Sequence, residues 1–270
     1  MADDGIATTS SAGLRVAASD TNPVTGEPAF AAGGTNRNEF DHTKWMADTR
    51  HVSSNSYPGF DAVPGQVLSC TMWAQGQAFG TEPQPYGSAV GDPESELRLA
   101  SFAMNTIDSE TGMVFDVWMT NTKIYPYYER LNLEGAAYHA FSSFFPGVPR
   151  VTNDDNVVTV ADEPSGGVVR WIINGVVAAV VDKIGFPSPQ ATLVIDRGGT
   201  AQLAAPRQLN CGMAFFTLVD GGLPPIGEGL VSLGGSYVFP TSFVGGPTLF
   251  GQGVEMQVRK FEVRSSEPGS

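Results

Sequence analysis

The 270-residue chain holds only two cysteines and three histidines. Cys70 and Cys211 stand far apart, each in a strand-like run, which makes no disulfide framework and predicts two buried thiols in a reducing compartment. No histidine stands at a zinc-ligand spacing, so no metal is expected. Positive charge is scarce too: 15 Lys+Arg against 28 Asp+Glu leave a net charge of -13. Such a field repels phosphate backbones and anionic surfaces, which argues against nucleic-acid and membrane partners. Long apolar runs are missing, and "VVAAVV" at Val176 to Val181 falls far short of the roughly 20 residues that span a bilayer. The opening "MADDGIATTSSAG" is acidic where a secretory leader is basic, and no Asn-x-Ser/Thr sequon occurs, so a cytoplasmic location is expected. Gly-x-Gly-x-x-Gly before a helix, a Gly-Lys-Ser/Thr loop and a Gly-x-Ser-x-Gly elbow are all lacking. Neither a nucleotide cofactor nor a serine triad is predicted, and no other cofactor is implied.

What is abundant is turn chemistry. The 32 glycines and 19 prolines fall between short runs rich in Val, Phe, Tyr and Thr, a pattern of strands separated by turns. The fold class read from this is all-β, with a dozen or so strands in two packed antiparallel sheets. Asn174-Gly175 between "VVRWII" and "VVAAVV" predicts a hairpin, because both central positions of a type I′ turn need positive φ. Residues 1–12 and 265–270 read as frayed tails flanking one domain over 13–264. The segments from Ser19 to Asn38 and from Gly80 to Pro93 read as long loops over one sheet.

The run "GGVVRWIINGVVAAVVDKIGFP" resembles the Trp-x-x-Asp/Asn-Gly hairpin of concanavalin A-like lectin and glucanase β-sandwiches, and "FGQGVEMQVRKFEV" is similar to their closing strand. "ETGMVFD", "TN", "YERL" and "DKIG" together also look like a little-characterised microbial family within that superfamily. The resemblance implies a jelly-roll sandwich with loops over a concave, ligand-binding sheet. Glucanases of the superfamily carry a Glu-x-Asp-x-Glu strand that sets alternate carboxylates on one face. Here Asp116 is flanked at those positions by Val114 and Trp118, so a conventional retaining glucanase is not implied.

In "GMVFDVWMTN" the period of two separates Met113, Phe115, Val117 and Met119 from Val114, Asp116, Trp118 and Thr120. The first set is expected in the core and the second on the concave side. By the same parity Tyr125, Tyr127 and Glu129 share a face, as do Trp73, Gln75 and Gln77. These form a predicted groove in which Asp116, Glu129 and Tyr127 are the candidate acid–base residues. Trp73, Gln75, Trp118, Tyr125, Arg98 and His139 are the candidate substrate contacts. The alternative is that Asp116 and Glu129 pair with Arg98 or Arg130 to tie strands together, and that His139 is a satisfied structural residue. His42 and His51 read as loop or edge residues. "NDDN" at 153–156 and "DPESE" at 92–96 read as turns, although both offer oxygen ligands to calcium. "SYPGF" at 56–60 and "VDGGLPPIGEGL" from Val219 are candidate borders of the groove.

Three functions are compatible with this pattern. A small-molecule-binding, cofactor-independent enzyme of the cyclase or isomerase type would use the aromatic walls to preorganise a partly apolar metabolite of specialised metabolism. A carbohydrate-binding protein or atypical glycosidase is the second, and a non-catalytic interaction domain the third. The sequence carries no signal for oligomeric state.

Overall fold

The structure, a computed structural model, describes residues 3–31, 42–84, 86–221 and 251–268. The first strands are β1 (Gly5–Ser10), β2 (Gly13–Ala18), β3 (Asp20–Thr21), β4 (Pro28–Ala29), β5 (Thr43–Asp48), β6 (Phe60–Asp61) and β7 (Val67–Phe79). There follow β8 (Ser101–Asp108), β9 (Met113–Val114), β10 (Val117–Met119), β11 (Lys123–Arg130), β12 (Phe141–Phe144) and β13 (Val148–Pro149). The remainder comprises β14 (Asn156–Glu163), β15 (Val168–Ile173), β16 (Val176–Val181), β17 (Thr192–Asp196), β18 (Gln208–Phe216), the one-turn helix α1 (Leu218–Gly221) and β19 (Gly253–Ser266).

These strands build an all-β sandwich of the jelly-roll kind. One sheet has seven strands in the order β1-β2-β19-β7-β14-β15-β16. The other has ten, following the path β17-β12-β11-β10-β8-β18-β5 with β6, β9 and β13 beside it. All pairings within both sheets are antiparallel. Each inner face contributes alternate residues to the interior: Leu68, Cys70, Met72 and Ala74 from β7, and Phe102 and Met104 from β8. The Asn174-Gly175 turn forms as the sequence requires, with φ of 51° and 81°, and Asn174 Oδ1 accepts the Val157 amide at 2.8 Å.

Three expectations are corrected here. Cys70 and Cys211 are not separate thiols: they form a disulfide between β7 and β18, with Cα atoms 6.3 Å apart at a sequence separation of 141. Antiparallel packing of two sheets brings distant segments together, so sequence spacing could not reveal the pair. Residues 5–10, read as part of a frayed tail, form β1 and pair with β2 along its whole length. At the other end β19 runs through Ser266, because β7 supplies partners as far as Val67. The stretch Asp20–Ala29, read as loop, includes the small β3–β4 pair.

Candidate functional site

The outward face of the ten-stranded sheet carries a second apolar cluster built from Ala103, Trp118, Tyr125, Tyr127, Ala214 and Phe216. Strand register explains its composition. Val114 stands opposite Glu129 and Trp118 opposite Tyr125, while Tyr127 donates its amide to the Asp116 carbonyl at 2.9 Å. On the other side Trp118 stands opposite Ala103. The predicted faces of 113–120 and 125–129 are therefore observed, and Asp116, Trp118, Tyr125, Tyr127 and Glu129 share one side of one sheet.

Asp116 is buried and saturated with donors. Its Oδ1 accepts the Thr106 amide at 2.8 Å and Asn105 Nδ2 at 3.0 Å. Its Oδ2 accepts Trp118 Nε1 and Asn105 Nδ2, both at 3.2 Å. Burial nevertheless pushes its pKa up to about 7, with the charge of Glu129 adding to the rise. Asp116 therefore fixes the Trp118 indole and Asn105 in place and has little capacity left for a ligand.

Glu129 is differently placed. It lines a cavity of about 180 Å3 together with Ser142, Ile195, Arg197 and His42. Ser142 Oγ donates to Glu129 Oε1 at 2.5 Å and is hydrogen-bonded to Tyr127 as well. Burial raises the Glu129 pKa to about 7, partly offset by the positive charge of Arg197. The Tyr127 phenol is driven well above its ordinary value by burial and by Glu129, so it stays protonated and serves as a donor. Arg197 is exposed at the cavity mouth, and no ion pair engages its guanidinium among the described residues. His42, read as a loop or edge residue, stacks over Phe216 with ring centroids 6.0 Å apart and reaches the cavity wall.

Other predicted contacts lie elsewhere. Trp73 and Gln75 are on β7 in the seven-stranded sheet, where Leu68, Cys70, Met72 and Ala74 take the inner face. Trp73 thus faces outward, with Lys260 Nζ 4.4 Å from its ring centroid. Period-two parity assigns residues to a face of a strand but not a strand to a sheet, and that is why the two were misplaced. Trp118 is on the expected face but closed: its ring is stacked between Phe216 at 4.2 Å and Tyr127 at 4.8 Å, leaving it 3% exposed. It is part of the wall, not an open platform. Tyr125 donates its hydroxyl to Ser95 O at 2.7 Å.

Arg98 precedes β8 and pairs with its near neighbour Glu96 through Nε and Nη2, both at 2.9 Å. Arg130 faces the other side of β11, stacks over Tyr138 and donates to Gln202 O. Neither arginine pairs with Asp116 or Glu129, so the strand-tie alternative fails on geometry. His139 precedes β12 rather than lying in it, packs on the core-facing Phe141, and bonds Asp196 Oδ1 at 2.6 Å. It is a satisfied structural histidine outside the cavity. The segment from Val219 named as a border reaches beyond the described residues after Gly221.

Sequence reasoning missed Ser142, Arg197 and His42. Ser142 sits one residue from Phe141 in a strand whose parity was readable, opposite Glu129 in the register. Arg197 follows β17 in a Gly-rich turn and His42 precedes β5, and nothing local in either run marks a site.

A solved Crh5 transglycosylase in complex with NAG matches with a TM-score of 0.43 and 12% identity, covering 100% of this chain and 79% of that one. A family 7 alginate lyase variant, A1-II′, in complex with substrate matches with a TM-score of 0.45 and 12% identity, covering 94% and 83%. An uncharacterized protein of Acanthamoeba polyphaga mimivirus is 24% identical over 200 residues, covering 53% of this chain and 46% of that protein. The chain thus spans about half the length of that curated relative. A family profile described as "Family of unknown function (DUF6081)" matches residues 1–267.

Proposed function

The chain belongs to the DUF6081 family, a family of unknown function, and we propose that its cavity beside Glu129 binds a compact, hydroxylated carboxylate and moves a proton on it. The observation that carries this reading is the placement of Glu129 and an unpaired Arg197 on the walls of one small cavity. A guanidinium at a cavity mouth matches a carboxylate group of the ligand. Ser142 and His42 stand on the same cavity wall, and the buried Tyr127 phenol lies behind Glu129. A volume of about 180 Å3 suits one ring-sized unit, free or at the end of a longer chain.

The chemistry follows from the two charges. A C–H bond next to a carboxylate breaks when a base takes its proton and the electron pair flows toward the carboxylate, where Arg197 stabilises the added charge. Glu129 takes that proton onto Oε2, with Oε1 held by Ser142, and returns it to the same or a neighbouring carbon. A carboxyl with a pKa of about 7 is balanced for both directions at neutral pH. This describes a cofactor-independent isomerase, with ring closure as the variant in which the carbanion adds to a carbonyl carbon of the same ligand, the C=O π pair moves to oxygen, and Glu129 returns its proton to that oxygen. The dense packing around Trp118 supports a rigid wall for such a site.

A carbohydrate-directed reading shares the same ligand chemistry if the ring is a sugar acid. It does not rest on paired catalytic carboxylates, since Asp116 is consumed by its own hydrogen bonds. The test is a ligand screen by saturation-transfer NMR with sugar acids, hydroxycarboxylates and their neutral counterparts, followed by deuterium uptake from heavy water at the carbon next to the carboxylate. Binding restricted to the anionic members, weakened at least about tenfold in Arg197→Ala, is expected. Glu129→Gln should still bind while exchange falls by roughly a hundredfold or more. Equal binding of neutral and anionic members, or exchange untouched in Glu129→Gln, would overturn the reading.

A further inference from the structure

A second group of carboxyls lies at one end of the interior, away from the cavity. Asp162 is 0% exposed, and neither of its oxygens has a hydrogen-bond partner. A buried carboxylate persists only when paired, metal-bound or protonated, and a protonated one still needs an acceptor for its hydroxyl. The side chain therefore has an unmet requirement for a ligand.

Strand register shows what faces it. Thr106 on β8 stands opposite Cys211, and Val160 on β14 stands opposite Cys70. The Cys70–Cys211 bond ties these two strand pairs together across the interior. Two residues further along, on the same inner faces, come Asp108 on β8 and Asp162 on β14, with Leu68 beside Asp162. Asp108 is also fully buried, and its charge acts on Asp162. Thr106 Oγ1, on the inner face of β8 next to Asp108, is buried with no partner either.

Local charge balance is incomplete at this end. Glu110 is matched by Arg207 and Glu163 by Arg170. No Lys, Arg or His forms an ion pair with Asp108 or Asp162 among the described residues. Two inner carboxylates remain, with an unpartnered hydroxyl on the same strand face as one of them.

From this we propose that the Asp108–Asp162 end of the sandwich binds one hard divalent cation of the calcium class. Two carboxylates match its charge, and Thr106 Oγ1 and water would complete an oxygen shell. Asp108 keeps its bonds to Thr111, to the Glu110 amide and to the Gln208 side-chain amide, which orient its carboxylate. A cation here would clamp β8 of one sheet to β14 of the other, beside the β7–β18 disulfide that already joins the two sheets.

The test uses the full chain unfolded and refolded either in EDTA or in millimolar calcium, followed by thermal unfolding and metal analysis after desalting. About one calcium per chain and a midpoint raised by roughly 5 °C are expected, since binding to the folded state alone stabilises it. Asp162→Asn should abolish the calcium response and, in EDTA at pH 8, melt above the wild type, because an amide replaces an unpaired carboxylate. Asp108→Asn should abolish the response as well. Identical wild-type midpoints in calcium and EDTA, with no bound metal, would overturn the proposal and leave a proton and water as the occupants. A calcium shift that survives in Asp162→Asn would also overturn it, by placing the ion elsewhere.

Discussion

The indole of Trp118 lies 4.2 Å from the ring of Phe216 at an interplanar angle of 4°, and Tyr127 covers its other face at 4.8 Å. Nε1 is held by Asp116 at 3.2 Å. An aromatic closed on both faces and anchored at its polar edge acts as structure. Trp118→Ala should cost about 3–5 kcal/mol by removing a large buried side chain, and the Asp116 carboxyl would lose a donor in addition. Urea unfolding is the measurement. A loss under 1 kcal/mol would mean that the ring is free and available as a platform after all.

Acidity supplies the next prediction. Asp116, Glu129 and Asp162 are each raised to about 7, burial being the largest cause in every case. Their folded values lie above the unfolded carboxylate range of roughly 4, so the native state holds these protons more tightly. The stability they contribute is complete below about pH 4 and is lost as pH rises through about 7. In EDTA, the urea midpoint should therefore fall between pH 5 and pH 8, by an amount worth roughly 2–3 kcal/mol for each of these carboxyls. Asp116 and Glu129 titrate as a coupled pair, so Glu129→Gln should flatten the slope by more than its own share. A midpoint that climbs from pH 5 to pH 8 would contradict this assignment.

How much of this was legible can be judged residue by residue. Alternation in 113–120 and 125–129 identified the correct faces, because a half-buried strand cannot shift by one residue without exposing its core set. The Asn174-Gly175 turn was readable for an equally local reason. Trp73 and Gln75 were misassigned because their parity was right but their sheet was not, and sheet membership is set by long-range pairing with β14 and β19. The alternation around His139 predicts a strand residue, whereas β12 begins at Phe141. The Arg98–Glu96 pair is local, two residues apart, yet a charge pair at that spacing has no distinctive signature. Arg197 and His42 reach Glu129 only through the fold.

The disulfide was illegible for the same reason, and it yields its own test. Joining β7 to β18 closes a loop of more than a hundred residues, which in the chain-entropy view stabilises by roughly 4–5 kcal/mol. Thiol titration of the protein unfolded without reductant should find no free cysteine. The Cys70→Ala, Cys211→Ala double variant should lose a large part of that stability in urea. Two titratable thiols per chain would restore the expectation of separate buried cysteines.

Asn105 provides the last prediction, because its amide spans both oxygens of Asp116 at 3.0 and 3.2 Å while its own Oδ1 is buried without a partner. Asn105 therefore stabilises the ionised form of Asp116 at the cost of an unmet acceptor. Asn105→Ala removes the Nδ2 group that donates to both carboxylate oxygens and should push the Asp116 pKa above its present value of about 7. At pH 8 the variant should lose about 1–3 kcal/mol, and at pH 5, where the carboxyl is protonated, clearly less. Carbon-13 titration of the aspartate carboxyls would follow the shift directly. If the Asp116 titration moves down, or if the loss is the same at both pH values, Asn105 is not the group that sets the charge of this carboxyl. Its role would then reduce to filling space between Gly212 and Asp116, its neighbours across the sheet.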